Sequence, residues 1–174
     1  GNGNSLGVDI QYVNEENPLG TAGALGLIPP PSEPLLVING DILTKLDFRA
    51  MLKYHQKQGA ELTVAVRQYG FQVPYGVLEC NGPKVVHLQE KPTYNFFVNA
   101  GIYLVEPSAL ESLPRGRRFD MTDLIQALVK IERTVVAFPI VEYWMEIGQA
   151  RDYEQVQKDV REGRFDAGAE YSGE

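Results

Sequence analysis

Apolar and polar positions along the chain alternate between two periods. Short β-rich runs appear at VDIQYV (8–13), LLVI (35–38), ELTVAVR (61–67), GVLEC (76–80), KVVHLQE (84–90), VNAGIYLV (98–105) and TVVAFPI (134–140). Each has the length and residue preference of a strand. LLVI is apolar throughout, the pattern of a strand buried on both faces of a parallel sheet. Asn81-Gly82-Pro83 separates 76–80 from 84–90 and predicts a hairpin laid beside that sheet. Helical spacing occurs between the strands. TAGALGLI (21–28) predicts a short helix capped by Thr21 and stopped by Pro29-Pro30-Pro31. From Asp47, Phe48, Met51, Leu52 and His55 fall on one face, with Gly59 as terminator. Further helices are expected near 107–113, from about Asp120 through DMTDLIQALVKI, and over ARDYEQVQKDVREG, closed by Gly163. Strand, helix and strand in succession predict an α/β fold built on a mainly parallel sheet with right-handed crossovers. The last residues, DAGAEYSGE (166–174), read as a frayed tail beyond a domain spanning 1–165.

The glycines of GNGNSLG invite comparison with a phosphate loop. Such a loop must lie between a strand and the helix that follows it, so that both ends face the anion. This segment precedes a strand-like run and follows nothing periodic, so it reads as a surface turn.

Composition narrows the chemistry. The 174 residues are 44% hydrophobic and 22% charged, as in a globular protein with a substantial core. Sixteen basic against 23 acidic residues leave a net charge of −7, which excludes a basic nucleic-acid grip. No apolar run approaches the roughly 20 residues of a membrane span, and no signal-peptide pattern opens the chain. The lone Cys80 forms no internal disulfide, and a reducing cytoplasm is the expected setting. Cys80 also lacks metal-ligand spacing, and His55 and His87 have no nucleophile motif beside them.

Three segments carry candidate chemistry. Asp41 follows the end of LLVI, the edge at which open α/β sheets bind ligands, and Gly40 leaves room for close approach. A carboxylate there suits Mg²⁺, which takes one or two protein oxygens and leaves the rest to water and phosphates. Asn39-Gly40-Asp41 is equally ordinary turn chemistry. Glu90-Lys91-Pro92 closes a strand, and Lys91 could offer a compact positive charge to phosphate or form a solvated ion pair. In Trp144-Met145-Glu146-Ile147-Gly148 an acid stands in an apolar stretch, either as a buried group needing a metal or as a helix-start residue after a core tryptophan.

PLGTAGAL (18–25), INGD (38–41), PYGV (74–77), EKP (90–92), FVNAGIY (97–103) and YWMEIG (143–148) occur in this order. The string resembles the sugar-1-phosphate nucleotidyltransferases, especially their guanylyltransferase-like members acting on mannose or amino-sugar phosphates, and extends from about Leu6 to Arg164. The resemblance implies a Rossmann-like, mixed but mainly parallel sheet with helices on both faces. It implies Mg²⁺-dependent reaction of a nucleoside triphosphate with a sugar 1-phosphate to give a nucleoside-diphosphate sugar and pyrophosphate. By the same resemblance Asp41 holds the metal with Glu146, Lys91 contacts the sugar phosphate, and Gly76, Glu90 and Asn99 contact the sugar. Leu19 and Gly20 pack on the base, and Glu15 falls near its polar edge, where a carboxylate would accept the N1–H and N2–H₂ of guanine. This favours GTP. The family has Asp where this chain has Glu146, and its N-terminal glycine-rich pyrophosphate loop is not found, so the chain is expected to be part of an enzyme and inactive alone. CBS domains in the full-length parent and self-association through exposed strand edges are also expected. Two alternatives stay open: a non-catalytic, sugar-phosphate-binding regulatory subunit, and a metal-dependent glycosyltransferase. The Asp-x-Asp motif usual in the latter is not met, since Asn39 and Leu43 flank Asp41 at that spacing. Asp41, Glu146 and Lys91 are expected to surround one cleft.

Overall fold

The computed structural model describes residues 1–165, so the expected tail at 166–174 lies outside the described residues. The chain forms two compact units. One comprises 1–39, 48–63 and 103–136; the other comprises, among the described residues, 40–47, 64–102 and 137–165. Eight strands are described: β1 (Leu35–Ile38), β2 (Ile42–Thr44), β3 (Leu62–Gln72), β4 (Val77–Asn81), β5 (Lys84–Gln89), β6 (Thr93–Val105), β7 (Val135–Pro139) and β8 (Trp144–Glu146). The α-helices are α1 (Gly20–Gly23), α2 (Phe48–Gln58), α3 (Pro107–Leu110), α4 (Met121–Lys130) and α5 (Ala150–Arg161). Among the described residues no helix is long and apolar enough to cross a membrane.

The fold is α/β, and its four-stranded sheet has the order β1-β6-β3-β7. Glu61 N–H donates to Thr134 O at 2.9 Å and Ile140 N–H to Val66 O at 2.8 Å, so β3 and β7 run the same way. Glu106 N–H donates to Glu61 O at 2.9 Å, joining the end of β6 to the start of β3, so these two strands run oppositely. The sheet is mixed, as expected. The reason lies in the connection: β3 reaches β6 through the β4–β5 hairpin, with no crossover helix to turn the chain back into a parallel path. That hairpin forms its own two-stranded sheet, with Leu78 opposite Leu88 and Glu79 opposite His87. In β3 the first five residues are buried and the last six exposed; β6 reverses this, exposed at Thr93 and buried from Ala100.

Three local expectations are corrected. VDIQYV is not a strand: its Val8 and Tyr12 are 51% and 71% exposed, and among the described residues it joins no ladder. Its Val8 and Ile10 N–H groups bond back to Gly3 O at 3.3 Å and Asn2 O at 2.8 Å, so the alternation meets a turn and not a neighbouring strand. LLVI does form β1, but at an end of the sheet order, and its burial alternates, with Leu36 and Ile38 partly exposed. The helix near 107–113 is the four-residue α3.

Thr21 does not cap its own helix. Leu19 takes the N-cap position of α1 without a side-chain bond, and α1 passes into a 3₁₀ turn over Ala24–Leu27. Thr21 instead pairs with the start of α4. Its Oγ1 accepts the Met121 N–H at 2.8 Å, while its own N–H donates to Asp120 Oδ1 at 2.9 Å. Each helix start thus supplies an acceptor for an orphan donor of the other. Asp120 also forms a capping box with Asp123, whose Oδ2 accepts the Asp120 N–H at 2.9 Å. Backbone bonds reinforce the pairing: Ala22 and Gly23 N–H both donate to Phe119 O at 3.0 Å, and Phe119 N–H donates to Leu19 O at 2.8 Å. Approach is close enough that only glycine fits at position 20. Its φ is +81°, and an added Cβ would lie 2.5 Å from Asp120 Oδ1 and 2.9 Å from Phe119 O.

The same unit buries one histidine completely. His55 on α2 joins Thr63 Oγ1 through Nδ1 at 2.7 Å and Glu106 Oε1 through Nε2 at 3.0 Å. It is a structural link between α2, β3 and the residue before α3, in keeping with its low promise as a catalyst.

Three outcomes test these arrangements. His55→Ala leaves a cavity and strips Thr63 and Glu106 of a partner, so denaturant unfolding should show a loss of about 2–4 kcal/mol. Gly20→Ala should lower stability by a similar amount, about 2–4 kcal/mol, through clash and left-handed strain together. The Thr21 N–H, ahead of Arg118, holds the Asp120 carboxyl below its ordinary value. A depressed carboxyl stabilises the fold above its unfolded value and loses that contribution as pH falls through the folded one. Asp120→Asn should therefore flatten the acid limb of thermal stability measured below about pH 4.

Candidate active site

Asp41 and Glu146 are brought to one end of a short antiparallel ladder. β2 pairs with β8 in the register Ile42–Glu146, Leu43–Met145 and Thr44–Trp144. Ile147 N–H donates to Asp41 O at 2.8 Å, adding a rung at the end where β1 has just turned through Asn39 and Gly40. The two acids thus sit on adjacent rungs. Adjacent rungs of a regular ladder face opposite ways, but Asp41 lies in the turn before β2, where that alternation is not imposed. Glu146 is neither buried nor at a helix start: it is exposed, at the end of β8 after the half-buried Trp144 and Met145. Both carboxylates lack a hydrogen-bond or ion-pair partner within the described protein.

The donor set suits one kind of cation. Among the described residues no group of three or more His, Cys, Asp or Glu side chains could hold a metal. Two uncommitted carboxylates fit Mg²⁺ arriving with phosphate oxygens and water, and do not fit an all-protein cage.

Trp144 ties this ladder to the larger sheet. Its indole N–H donates to Ala100 O on β6 at 2.9 Å. Arg67 at the end of the buried part of β3 donates to Trp144 O at 2.8 Å and lies 5.6 Å over the indole ring, a cation–π contact. Asn99, next to Ala100, accepts the Gly101 N–H through Oδ1 at 3.0 Å. One chain of contacts thus joins Asp41, Glu146 and Asn99. Arg67 has no motif around it that sequence reasoning could have used; its role depends on where β8 docks.

Gly76, Glu90 and Lys91 form a second group. Glu90 Oε2 lies 3.0 Å from the point a Cβ on Gly76 would occupy, so the carboxylate rests on the glycine backbone. Lys91 N–H donates to Tyr75 O at 3.3 Å, and Val73 N–H donates to Pro92 O at 3.0 Å. Lys91 itself adopts φ +45°, a left-handed conformation costly for a non-glycine residue and concentrated at functional positions. Its ammonium and the Glu90 carboxylate pair neither with each other nor with another described residue, so the surface ion pair is not formed. Between this group and Asn99, β6 runs unbroken from Thr93, about 20 Å of strand at ~3.3 Å per residue. Lys91 thus stands just ahead of the exposed half of β6, and Asn99 closes that half.

The residues matched to the nucleotide belong to the helix-start pairing described above. Glu15 Oε2 accepts the Leu19 N–H at 3.0 Å, bracing the entry to α1. Leu19 lines a cavity of about 310 Å³ with Asn14, Glu16, Asn17, Leu27 and Gly116. Glu15 and Gly20 flank Leu19 without lining it. The amides of Asn14 and Asn17 are polar groups that the sequence reading passed over. GNGNSLG is the turn expected, a 3₁₀ segment over Asn4–Leu6 between left-handed Gly3 and Gly7.

The sequence model described as Nucleotidyl transferase matches residues 1–163. A Sulfolobus acidocaldarius protein assigned as a mannose-1-phosphate guanyltransferase is 32% identical over 161 residues, covering 90% of this chain and 44% of its own length. The Danio rerio mannose-1-phosphate guanylyltransferase catalytic subunit beta is 32% identical over 156 residues, covering 85% of this chain and 43% of the relative. The chain thus spans less than half the length of these curated relatives. A Bacillus anthracis crystal structure assigned as a glucose-1-phosphate thymidylyltransferase, with sucrose bound, shares the fold. Its TM-score is 0.70 at 22% identity, over 100% of this chain and 73% of that one. A match over nearly every described residue, on the motifs that hold the two groups, makes this chain a member of the nucleotidyl transferase family.

Proposed function

We propose that the protein transfers a nucleotidyl group from a nucleoside triphosphate, GTP in preference, to a sugar 1-phosphate. An oxygen of the sugar phosphate attacks the α-phosphorus, the bond to the β-phosphate breaks, and pyrophosphate leaves with the displaced electron pair. The observation that carries this reading is the set of uncommitted charges: Asp41, Glu146 and Lys91, all at motif positions, have no partner within the described protein. Charged groups left unpaired at a site are available to a charged ligand.

In this reading Asp41 and Glu146 hold Mg²⁺, which neutralises phosphate charge when bound. Lys91 binds the sugar phosphate, and Gly76, Glu90 and Asn99 contact the sugar. Leu19 and Gly20 support the base, and the second oxygen of Glu15, the first being engaged by Leu19, faces its donors. The protein's work is alignment and charge neutralisation rather than covalent chemistry. The guanylyltransferase names of the relatives support GTP. A single catalytic domain over 1–165, a cytoplasmic location, homo-oligomerisation and, in longer forms, CBS domains belong to the same reading. A second reading is a sugar-phosphate-binding subunit without turnover.

Pyrophosphate release from the full-length gene product, over a panel of nucleotides crossed with sugar 1-phosphates, separates the two. GTP with a hexose or amino-hexose 1-phosphate should give the fastest Mg²⁺-dependent release. Asp41→Ala should slow it by at least about a hundredfold. Saturable sugar-phosphate binding with no release from any pair would favour the second reading.

A further inference from the structure

The ladder that carries Asp41 and Glu146 has only three paired residues on each strand, and so short a two-stranded sheet is marginal alone. Its register matters: a slip by one residue would put Met145 where Glu146 stands and turn every side chain over. Beyond Thr44 and Trp144 the pairing continues, since Lys45 N–H and Thr44 Oγ1 both donate to Tyr143 O at 2.9 Å. Tyr143 is held in turn by a carboxylate that nothing in the proposed reaction uses. Asp159 on α5 is only 4% exposed. Its Oδ2 accepts the Tyr143 hydroxyl at 2.8 Å, and its Oδ1 accepts Gln155 Nε2 at 2.8 Å and lies 3.6 Å from the Arg164 guanidinium. The Tyr143 ring packs on Phe165, with centroids 5.3 Å apart, and the Lys45 ammonium lies 5.7 Å from the centre of the Phe165 ring. Burial, then the bond to Asp159, pushes the Tyr143 hydroxyl up to about 12, so it remains a proton donor at ordinary pH.

We propose that Asp159 is a positioning residue: through Tyr143 it pins the register of the β2–β8 ladder and thereby sets where Asp41 and Glu146 stand. The metal consequence rests on the function proposed above; the register does not.

The test therefore has two readouts. Amide hydrogen exchange follows Ile147, whose N–H closes the ladder on Asp41 O. Mn²⁺ titration, read by water-proton relaxation, follows the two carboxylates. Tyr143→Phe removes only the hydroxyl and keeps the ring on Phe165. It should speed exchange at Ile147 by about tenfold or more, with Leu62 in the other unit unchanged, and weaken Mn²⁺ binding about tenfold. Asp159→Asn, which keeps an oxygen for Tyr143, should retain most of both. Equal acceleration at Ile147 and Leu62, or none at Ile147, overturns the pin. If Asp41→Ala leaves Mn²⁺ binding intact while Ile147 still responds to Tyr143→Phe, the metal reading fails and the register role stands.

Discussion

The bond from the Trp144 indole to Ala100 O is the contact on which the acidic end of the second unit depends. β2 and β8 are too short to persist as a free ladder. An indole fixed at one rung, with Arg67 above it and bonded to its carbonyl, turns that ladder into an extension of the larger sheet. Asp159 and Tyr143 secure the rung beyond. The unpaired carboxylates lie at the opposite end, so the anchoring groups are kept apart from those left free for a ligand.

That division also bears on how an acidic chain would handle phosphate in the proposed reaction. The chain carries net charge −7, and many of its carboxylates are internally engaged: Asp120 and Asp159 cap or buttress helices, and Glu61 and Glu106 bind Arg133 and His55. A free carboxylate beside a phosphate would repel it, so the uncommitted acids make sense with a cation between them and the anion. In the proposed reaction Lys91 would make the complementary contribution, a bare ammonium on a backbone twisted into the left-handed region.

Much of the fold was legible because periodicity reports local burial. α2, α4 and α5 follow their apolar spacing, and Asp120 and Gly163 stand at the helix ends where their chemistry suggests. The hairpin followed from Asn81-Gly82-Pro83. What escaped was set by partners remote in sequence. β2 and β8 are too short to carry a pattern and exist only as a pair. VDIQYV alternates like a strand but has no neighbour in the described sheets. Thr21 has the right residue type for a cap, and the helix it serves begins 100 residues later. In the candidate site, motif order drew attention to Asp41, Lys91 and Glu146, but the β2–β8 register that sets Asp41 beside Glu146 was not legible.

The exchange of acceptors between Thr21 and Asp120 spans 99 residues of chain. Contacts of such long range close a large loop before any return, and topologies rich in them fold slowly. During synthesis the segment around Thr21 leaves the ribosome well before its partner is made, and its donors must be left to water until then. The LGTAG backbone therefore waits on the second half of the chain for its partners.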